Sequence, residues 1–195
     1  MKLFHLLDTF LPFKSWINKK IELRNEEIVE KIQPFIGKRK KMIDIGSGTG
    51  HTALSLIGMG HKVTCVDVED MNVFEETKPL IYDGKSLPFS DNSFDVALLI
   101  TVLHHTPKPE EVIKEASRVA KSIIIMEDTY NNKLQKLLTF AMDSIGNMQF
   151  FGHPHSNKSD KEWRQLFRKL GLRLIKSNKK RFFYFFESTT YLVKR

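Results

Sequence analysis

Two patterns of hydrophobic and polar positions follow one another along the chain: short apolar runs, which predict strands, and apolar residues at helical spacing, which predict helices. Short apolar runs bounded by turn residues are typical of strands covered on both faces of a sheet. Such runs occur at 40–46, 61–68, 79–82, 94–100 and 122–128. Apolar residues at helical spacing occupy two of the intervals, at about 49–59 and 110–120. Strands that alternate with helices predict a doubly wound, mostly parallel α/β sheet.

The N-terminal part of the chain departs from this alternation. Residues 18–36 have the spacing of a helix that Gly37 ends. The segment before it is apolar at most positions, and we expect Pro12 to break any single helix there. We therefore divide the chain into an N-terminal helical appendage, residues 1–37, which covers a ligand cleft, and a main domain, residues 38–195.

The C-terminal part predicts two further helices and two strands. The helices cover 132–145 and 159–170, and the second begins with Ser159 and Glu162 as a capping box. The strands are joined by a turn at Asn178 that contains the cations of 179–181, and the short connection makes them antiparallel. The aromatic run RFFYFFE in the last strand is predicted to be buried.

Composition limits the classes of protein to be considered. The chain has 195 residues, 41% hydrophobic, which is enough for one domain with a sizeable core. Its single cysteine, Cys65, excludes an internal disulfide and a cysteine-built metal site, and it suits a reducing cytoplasm. No run of 18 apolar residues is present, and no small-residue cleavage site follows the apolar start. We expect a cytoplasmic protein.

The net charge of +8 is unevenly distributed. Residues 1–41 carry 10 basic and 5 acidic side chains, and residues 158–195 carry 12 and 3. Between them, residues 42–157 carry 9 basic and 15 acidic side chains. The basic flanks suit a solvated surface, nucleic acid or an anionic membrane, whereas the acidic middle suits a cationic ligand.

The strongest local motif is the glycine loop Asp44-Ile-Gly-Ser-Gly-Thr-Gly50, which follows the first strand and opens a helix. Glycines let the chain turn tightly and let a ligand approach the backbone. A dinucleotide-binding loop, G-x-G-x-x-G, requires glycine or alanine at position 51, which is His51 here. Asp44 lies two residues before the first glycine, where its carboxylate would repel a pyrophosphate and attract a cationic amino-acid ligand. A nicotinamide-dependent oxidoreductase is therefore disfavoured.

At these residues the chain resembles the class I S-adenosylmethionine-dependent methyltransferases, especially the type 11 group that includes quinone-biosynthesis enzymes. The resemblance covers about residues 40–130 and rests on four segments, IDIGSGTG, VTCVDV, YDGKSLPFSDNSFD and VALLITVLHH. It implies a seven-stranded Rossmann-like sheet with an antiparallel last strand. Two features depart from the family pattern: the K-P-G-G turn before the fifth strand is absent, and the helix between the third and fourth strands is reduced to a loop.

The resemblance also implies a set of residues that bind the cofactor, S-adenosyl-L-methionine. Asp44 would orient the methionine ammonium group, Asp67 would hold the two ribose hydroxyls, and Asp83 would accept from the adenine amino group, with Gly84 beside it. The other implied cofactor contacts are Gly46, Ser47, Gly48, Gly50, Val68 and Thr101.

His104 and His105 follow the fourth strand, where the family builds the wall of its active site. Methyl transfer is a single in-line displacement, so the main task of the protein is to place the acceptor near the methyl group. A neutral histidine can also take a proton from a phenol, a hydroxyl or an acidic carbon. We predict a catalytic role for both residues and no metal site; a structural hydrogen bond to the backbone is the alternative for either histidine.

We expect methyl transfer to a small, apolar or aromatic acceptor. The position of the N/D-P-P-Y/F/W motif of nucleic-acid amino methyltransferases reads LHHT here, which argues against a nucleic-acid substrate, although the basic flanks keep RNA as an alternative. A regulatory protein that binds the cofactor without transferring a methyl group is a second alternative. The motifs leave the oligomeric state open.

The N-terminal segment adds a prediction about location. Residues 1–17 carry many large apolar side chains and are followed by Lys19 and Lys20, a pattern that resembles an interfacial membrane anchor. The alternative is that these side chains pack over the cofactor or against a partner subunit. Peripheral contact with a membrane would suit an apolar acceptor.

Overall fold

The computed structural model describes residues 11–132, 135, 137, 156–182 and 186–195. Its helices are α1 (Leu11–Ile32), α2 (His51–Gly58), α3 (Pro109–Val119) and α4 (Asp160–Lys169). Its strands are β1 (Lys41–Ile45), β2 (Lys62–Asp67), β3 (Leu80–Ile81), β4 (Val96–Ile100), β5 (Ile123–Thr129), β6 (Arg173–Phe182) and β7 (Phe186–Lys194). Short 3₁₀ turns occupy Gln33–Phe35, Glu75–Thr77 and Leu103–His105.

The strands form one seven-stranded sheet in the order β3-β2-β1-β4-β5-β7-β6. The first five strands are parallel, and β7 runs antiparallel to both of its neighbours. This confirms the predicted doubly wound sheet with an antiparallel last strand. Because β1 and β4 are neighbours in the middle and the chain leaves them in opposite directions, a crevice opens at their carboxyl ends, where ligands bind in this class of sheet.

Two apolar layers cover the sheet, one on each face. The central strands alternate between them: Leu98 of β4 and Ile124 of β5 pack on the α1 and α2 side, whereas Leu99 and Ile125 pack on the α3 and α4 side. These four side chains are completely buried. Such two-sided burial explains why the central strands read as continuous apolar runs.

The N-terminal helix begins earlier than the sequence predicted. Helix α1 already includes Leu11, and Pro12 lies in its first turn. Proline is tolerated there because the backbone N–H groups of a first turn have no partner within the helix. The prediction that Pro12 interrupts this segment was therefore wrong from Leu11 onward. Residues 1–10 lie outside the described part, so the predicted membrane contact of 1–17 stays a prediction. None of the helices among the described residues is long and apolar enough to cross a bilayer.

The predicted turn at Asn178 was wrong. Asn178 lies within β6 and pairs with Thr190 of β7, and Lys179, Lys180 and Arg181 are also strand residues. The polar sequence is compatible with a strand because β6 is at the edge of the sheet, where side chains such as Asn178 face solvent. The middle of the aromatic run, 183–185, lies outside the described residues, so its predicted burial stays a prediction.

Two further predictions concern the segments that follow β3 and β5. The connection from β3 to β4 contains no helix over residues 82–95, all of which are described, and this confirms the predicted loop. The predicted helix over 132–145 falls largely outside the described residues, although residues 135 and 137 are helical.

Helix α4 begins with the predicted capping box. The Ser159 side chain accepts from the Glu162 backbone N–H, and the Glu162 carboxylate accepts from the Ser159 backbone N–H at 2.7 Å. This cap fixes the start of the helix that buries Trp163 and Phe167 against the sheet.

We expect Ser159→Ala to lower the free energy of unfolding by about 1 kcal/mol, the usual cost of a lost N-cap. Ser90→Ala is the control, because Ser90 is an exposed loop residue. Urea unfolding followed by circular dichroism measures both variants. Equal stability of the two variants would contradict the contribution of the cap.

Candidate cofactor and acceptor site

The glycine loop at the end of β1 is held by backbone hydrogen bonds to β2. The N–H groups of Gly46 and Ser47 both donate to the Val66 carbonyl, at 2.9 and 3.3 Å. Gly46, Gly48 and Gly50 all have positive φ angles, +76°, +53° and +81°. Glycine is required for different reasons at the two ends of the loop, since a Cβ on Gly46 would collide with Val102 and one on Gly50 with Thr77 and Asn72. A Cβ on Gly48 would meet no atom within 4 Å, so Gly48 offers open backbone to a ligand.

The Asp67 carboxylate lies at the end of β2, beneath this loop. One oxygen accepts from the Gly48 N–H at 2.8 Å and the other from the Val68 N–H at 2.7 Å. The side chain is 7% exposed and lines the cavity described below. Each oxygen retains a lone pair for a second donor, so the carboxylate can accept two hydroxyl groups of a ligand.

Asp44 is a buried carboxylate for which the described part of the chain supplies no hydrogen bond. It is 3% exposed, it occupies the end of β1, and it lines the same cavity. Burial, and then the neighbouring negative charge of Asp67, raise its pKa to about 7. A buried carboxylate normally needs a donor or a cation, so Asp44 is suited to a positively charged ligand group in the cavity.

Asp83 and Gly84 lie in the turn after β3, beside Val68. One Asp83 carboxylate oxygen accepts from the backbone N–H groups of Lys85 and Ser86, both at 2.9 Å. These two bonds, with that of Ser86 the larger effect, lower the pKa of Asp83. The other oxygen is available to a ligand at the outer end of the site. Val68 is 58% exposed and lines the cavity, which suits it to pack against a flat ring.

One large cavity of about 1120 Å³ joins all these groups. It lies at the carboxyl ends of β1, β2 and β4 and extends to the beginning of α3. Every residue predicted to bind the cofactor lines it except Gly50, which supports the loop from behind. Its volume exceeds that of an ordinary small-ligand pocket, so it has room for two molecules side by side.

Helix α1 forms one wall of this cavity. Ile21, Arg24, Asn25 and Ile28 line it, and the Asn25 side chain donates to the Ser55 hydroxyl of α2 at 2.9 Å. The helix is thereby attached to the element that follows the glycine loop. No short motif marks Arg24 and Asn25, whereas the spacing of Ile21 and Ile28 is part of the apolar pattern that predicted the helix. The predicted boundary at residue 37 stays a prediction.

The structure separates the two predicted catalytic histidines. His105 lines the cavity and is half-buried, whereas His104 lies behind it, 4% exposed, with Nδ1 2.6 Å from the Glu127 carboxylate. The two imidazole rings are 4.0 Å apart. Thr101, at the end of β4, lines the cavity with a positive φ angle of +52°. A catalytic role for either histidine stays a prediction, and Glu127 was missed because it lies on another strand.

A comparison with protein families agrees with this geometry. Residues 43–123, which contain the glycine loop, Asp67, Asp83 and the histidine pair, match the model of a methyltransferase domain. Within this range the chain is similar to the class I methyltransferases of the type 11 group. The matched range ends at the first residue of β5, so the model does not cover α1 or the β6–β7 pair.

Curated methyltransferases are similar to the central part of this chain. A sterol 4-C-methyltransferase of Caenorhabditis elegans is 30% identical over 106 residues, 48% of this chain and 31% of the relative. A ubiquinone/menaquinone biosynthesis C-methyltransferase of Rickettsia prowazekii is 30% identical over 98 residues, 41% of this chain and 40% of the relative. The chain thus matches less than half the length of these relatives.

Solved structures share the fold over more of the chain. A SAM-dependent methyltransferase from Methanosarcina mazei superposes with a TM-score of 0.64 at 20% identity, covering 84% of this chain and 96% of that one. Magnesium protoporphyrin IX methyltransferase from Synechocystis, solved with bound SAH, gives a TM-score of 0.60 at 14% identity, covering 89% and 83%. At these identities the likeness establishes the fold alone.

The close packing of Gly46 against Val102 predicts that a side chain at position 46 destabilises the protein. We expect Gly46→Ala to destabilise the protein by about 2 kcal/mol or more, because a left-handed backbone and a collision act together. Gly60→Ala is the matched control, since Gly60 has a φ angle of +87° and no atom within 4 Å of an added Cβ. The control should lose only about 1 kcal/mol, the cost of the backbone conformation.

Thermal unfolding measures both variants. The double variant Gly46→Ala/Val102→Ala should recover part of the loss, because it removes the colliding side chain. A Gly46→Ala variant no less stable than Gly60→Ala would contradict the packing described.

Proposed function

We propose that this protein transfers a methyl group from S-adenosyl-L-methionine to a small apolar or aromatic acceptor. The observation that carries the proposal is Asp44, a buried carboxylate in the wall of the cavity, without a protein donor in the described residues. A nucleotide phosphate would be repelled there, whereas a ligand with an ammonium group beside an adenosine is attracted. Asp44, Asp67 and Asp83 together supply acceptors at the end of three neighbouring strands.

The residues present fit this cofactor along its whole length. Asp44 would hold the methionine ammonium group, Asp67 the ribose hydroxyls and Asp83 the adenine amino group, with Val68 and Gly84 beside the adenine ring. The open backbone at Gly48 leaves room for the ribose. The cofactor supplies a methyl group activated by a sulfonium centre. The acidic side chains favour that positive charge near the loop.

The cavity beside the turn after β4 has both apolar and polar walls. Ile28 of α1, Ile100 and Val102 at the end of β4, and Val112 of α3 line it with His105, and Thr106, Lys108 and Glu111 line it nearer α3. The apolar side chains would orient an apolar molecule there. The names of the relatives refer to sterols and to ubiquinone and menaquinone, which supports an acceptor of apolar character. His105, which lines the cavity, would receive a proton from an acceptor whose reacting atom carries one.

The role of Asp44 predicts how binding depends on substitution and pH. Isothermal calorimetry with S-adenosylhomocysteine, which retains the ammonium group, should show about tenfold or weaker binding for Asp44→Asn. Asp95→Asn, a change at an aspartate outside the cavity, should bind as the wild type does. Only ionised Asp44 attracts the ammonium group, so wild-type affinity should rise through about pH 7 and be about tenfold weaker at pH 6 than at its plateau.

The stability of Asp44→Asn shows whether the variant still folds. Because burial raises the pKa of Asp44 from 3.8 to about 7 in the folded protein, its ionisation lowers stability between these two pH values, and the loss is complete above the higher one. Asp44→Asn removes that cost and should be at least as stable as the wild type at pH 8. A folded Asp44→Asn variant with wild-type affinity and an unchanged pH profile would contradict the proposed role.

Methyl transfer itself is tested with S-adenosylmethionine that carries a labelled methyl group. Purified protein is incubated with a panel of phenols, quinols and sterols and, separately, with bulk RNA. We expect label in the apolar extract of at least one small-molecule reaction, and less of it with His105→Phe, because the change removes the proton acceptor. Label in RNA alone would support the RNA alternative, and cofactor binding without any transfer would support a regulatory protein.

We also propose that residues 1–17 place the protein at the surface of a membrane, close to an apolar acceptor. The apolar side chains of this segment and the following Lys19 and Lys20, which are exposed, support the proposal. The same proposal places the protein in the cytoplasm, in peripheral contact with the lipid.

A further inference from the structure

In the turn between β4 and α3, residues 101–106, some side chains line the cavity and others face the protein interior. Thr101, Val102, His105 and Thr106 line the cavity, whereas Leu103 and His104 face inward and are almost fully buried. Val102 packs against Gly46, so this turn also contacts the glycine loop. The position of the turn therefore determines both the wall of the acceptor site and the support of the cofactor loop.

A single buried carboxylate holds the inward face of this turn. Glu127, on the neighbouring strand β5, is 0% exposed. One of its oxygens accepts from the Leu103 N–H at 2.8 Å, and the other lies 2.6 Å from His104 Nδ1. An ionised carboxylate only accepts hydrogen bonds, so His104 donates from Nδ1. Both oxygens of a fully buried glutamate are thus used on two consecutive residues of the turn.

Ser156 also binds this turn, through backbone carbonyls. The Ser156 hydroxyl is 2.9 Å from the Leu103 carbonyl and 3.1 Å from the Thr106 carbonyl, and the Ser156 N–H donates to the His104 carbonyl at 3.3 Å. Thr101, at the start of the turn, has a φ angle of +52°, which a threonine adopts only where its surroundings impose it. The Thr101 N–H donates to the Met126 carbonyl of β5 at 2.8 Å, which attaches the start of the turn to the strand that carries Glu127.

We infer that Glu127 is a positioning residue for methyl transfer, that His104 acts as its partner, and that His105 is the imidazole that meets the acceptor. This inference rests on the proposed function. It reassigns His104 from a proton acceptor to a residue that orients the turn. Its hydrogen bond to Glu127 draws His104 inward and leaves the next residue, His105, on the cavity side.

The test compares two buried glutamates of the same sheet. Glu187 of β7 is 2% exposed and is bound by Arg181, Lys179 and Asn131, with no bond to the turn. Glu127→Gln and Glu127→Ala are therefore compared with Glu187→Gln and Glu187→Ala. Amide hydrogen exchange of residues 101–106 and NMR of the histidine rings are measured in each, with and without S-adenosylhomocysteine.

We expect the Leu103 and His104 amides to exchange at least tenfold faster in the Glu127 variants than in the Glu187 variants, after correction for global stability. The response of the His105 ring to S-adenosylhomocysteine should be lost only in the Glu127 variants. In Glu127→Gln the amide can donate to His104, so the His104 ring should change tautomer, a signature that a loss of stability alone does not produce. If Glu127→Ala does not fold, Glu127→Gln provides the comparison.

Substitution of His104 gives the second arm. His104→Asn retains a donor near the position of Nδ1. In this variant the Leu103 amide should still exchange slowly and the His105 ring should still respond to S-adenosylhomocysteine. In His104→Phe the slow exchange of Leu103 and the response of His105 should both be lost. Equal behaviour of the Glu127 and Glu187 variants, or of His104→Asn and His104→Phe, would overturn the inference. Failure of the wild type to bind S-adenosylhomocysteine would instead contradict the proposed function, since the exchange comparison does not require the ligand.

Discussion

The buried carboxylate of Asp44 is the constraint on which the site depends. Parallel strands end at the same edge of the sheet, so β1 and β2 bring Asp44 and Asp67 together at the bottom of one cavity. Asp67 is compensated by two backbone N–H groups, whereas the described residues offer Asp44 no hydrogen bond. Burial therefore raises the pKa of Asp44 to about 7, and a positively charged ligand group in the cavity would stabilise its ionised form.

The rest of the site is arranged around this charge by close backbone packing. The glycine loop approaches β2 and the Val102 side chain so closely that a methyl group at Gly46 has no space. The same Val102 belongs to the turn that Glu127 holds from β5. The glycine loop and the turn after β4 are therefore connected through three neighbouring strands, β1, β4 and β5.

Features that depend on neighbouring residues were predictable from the sequence, and features that depend on distant residues were not. The glycine loop, the acidic ends of β2 and β3 and the capping box of α4 were predictable, because each depends on residues within a few positions of one another. The predicted turn at Asn178 was wrong because polar residues suit both a turn and a strand at the edge of a sheet. The start of α1 was misjudged because proline is excluded from the interior of a helix and accepted in its first turn.

The sequence by itself determined the fold class and the glycine loop and strand-end acids that line the cavity, since apolar periodicity and a glycine loop after a strand are properties of short segments. Only the tertiary structure decided which histidine faces the cavity. That choice depends on Glu127, 24 positions after Leu103 along the chain and in hydrogen-bond contact with it across the sheet. The wall formed by α1 was decided in the same way, by the bond of Asn25 to Ser55. Such contacts follow from the pairing of strands and the packing of helices, which bring together residues that no local pattern connects.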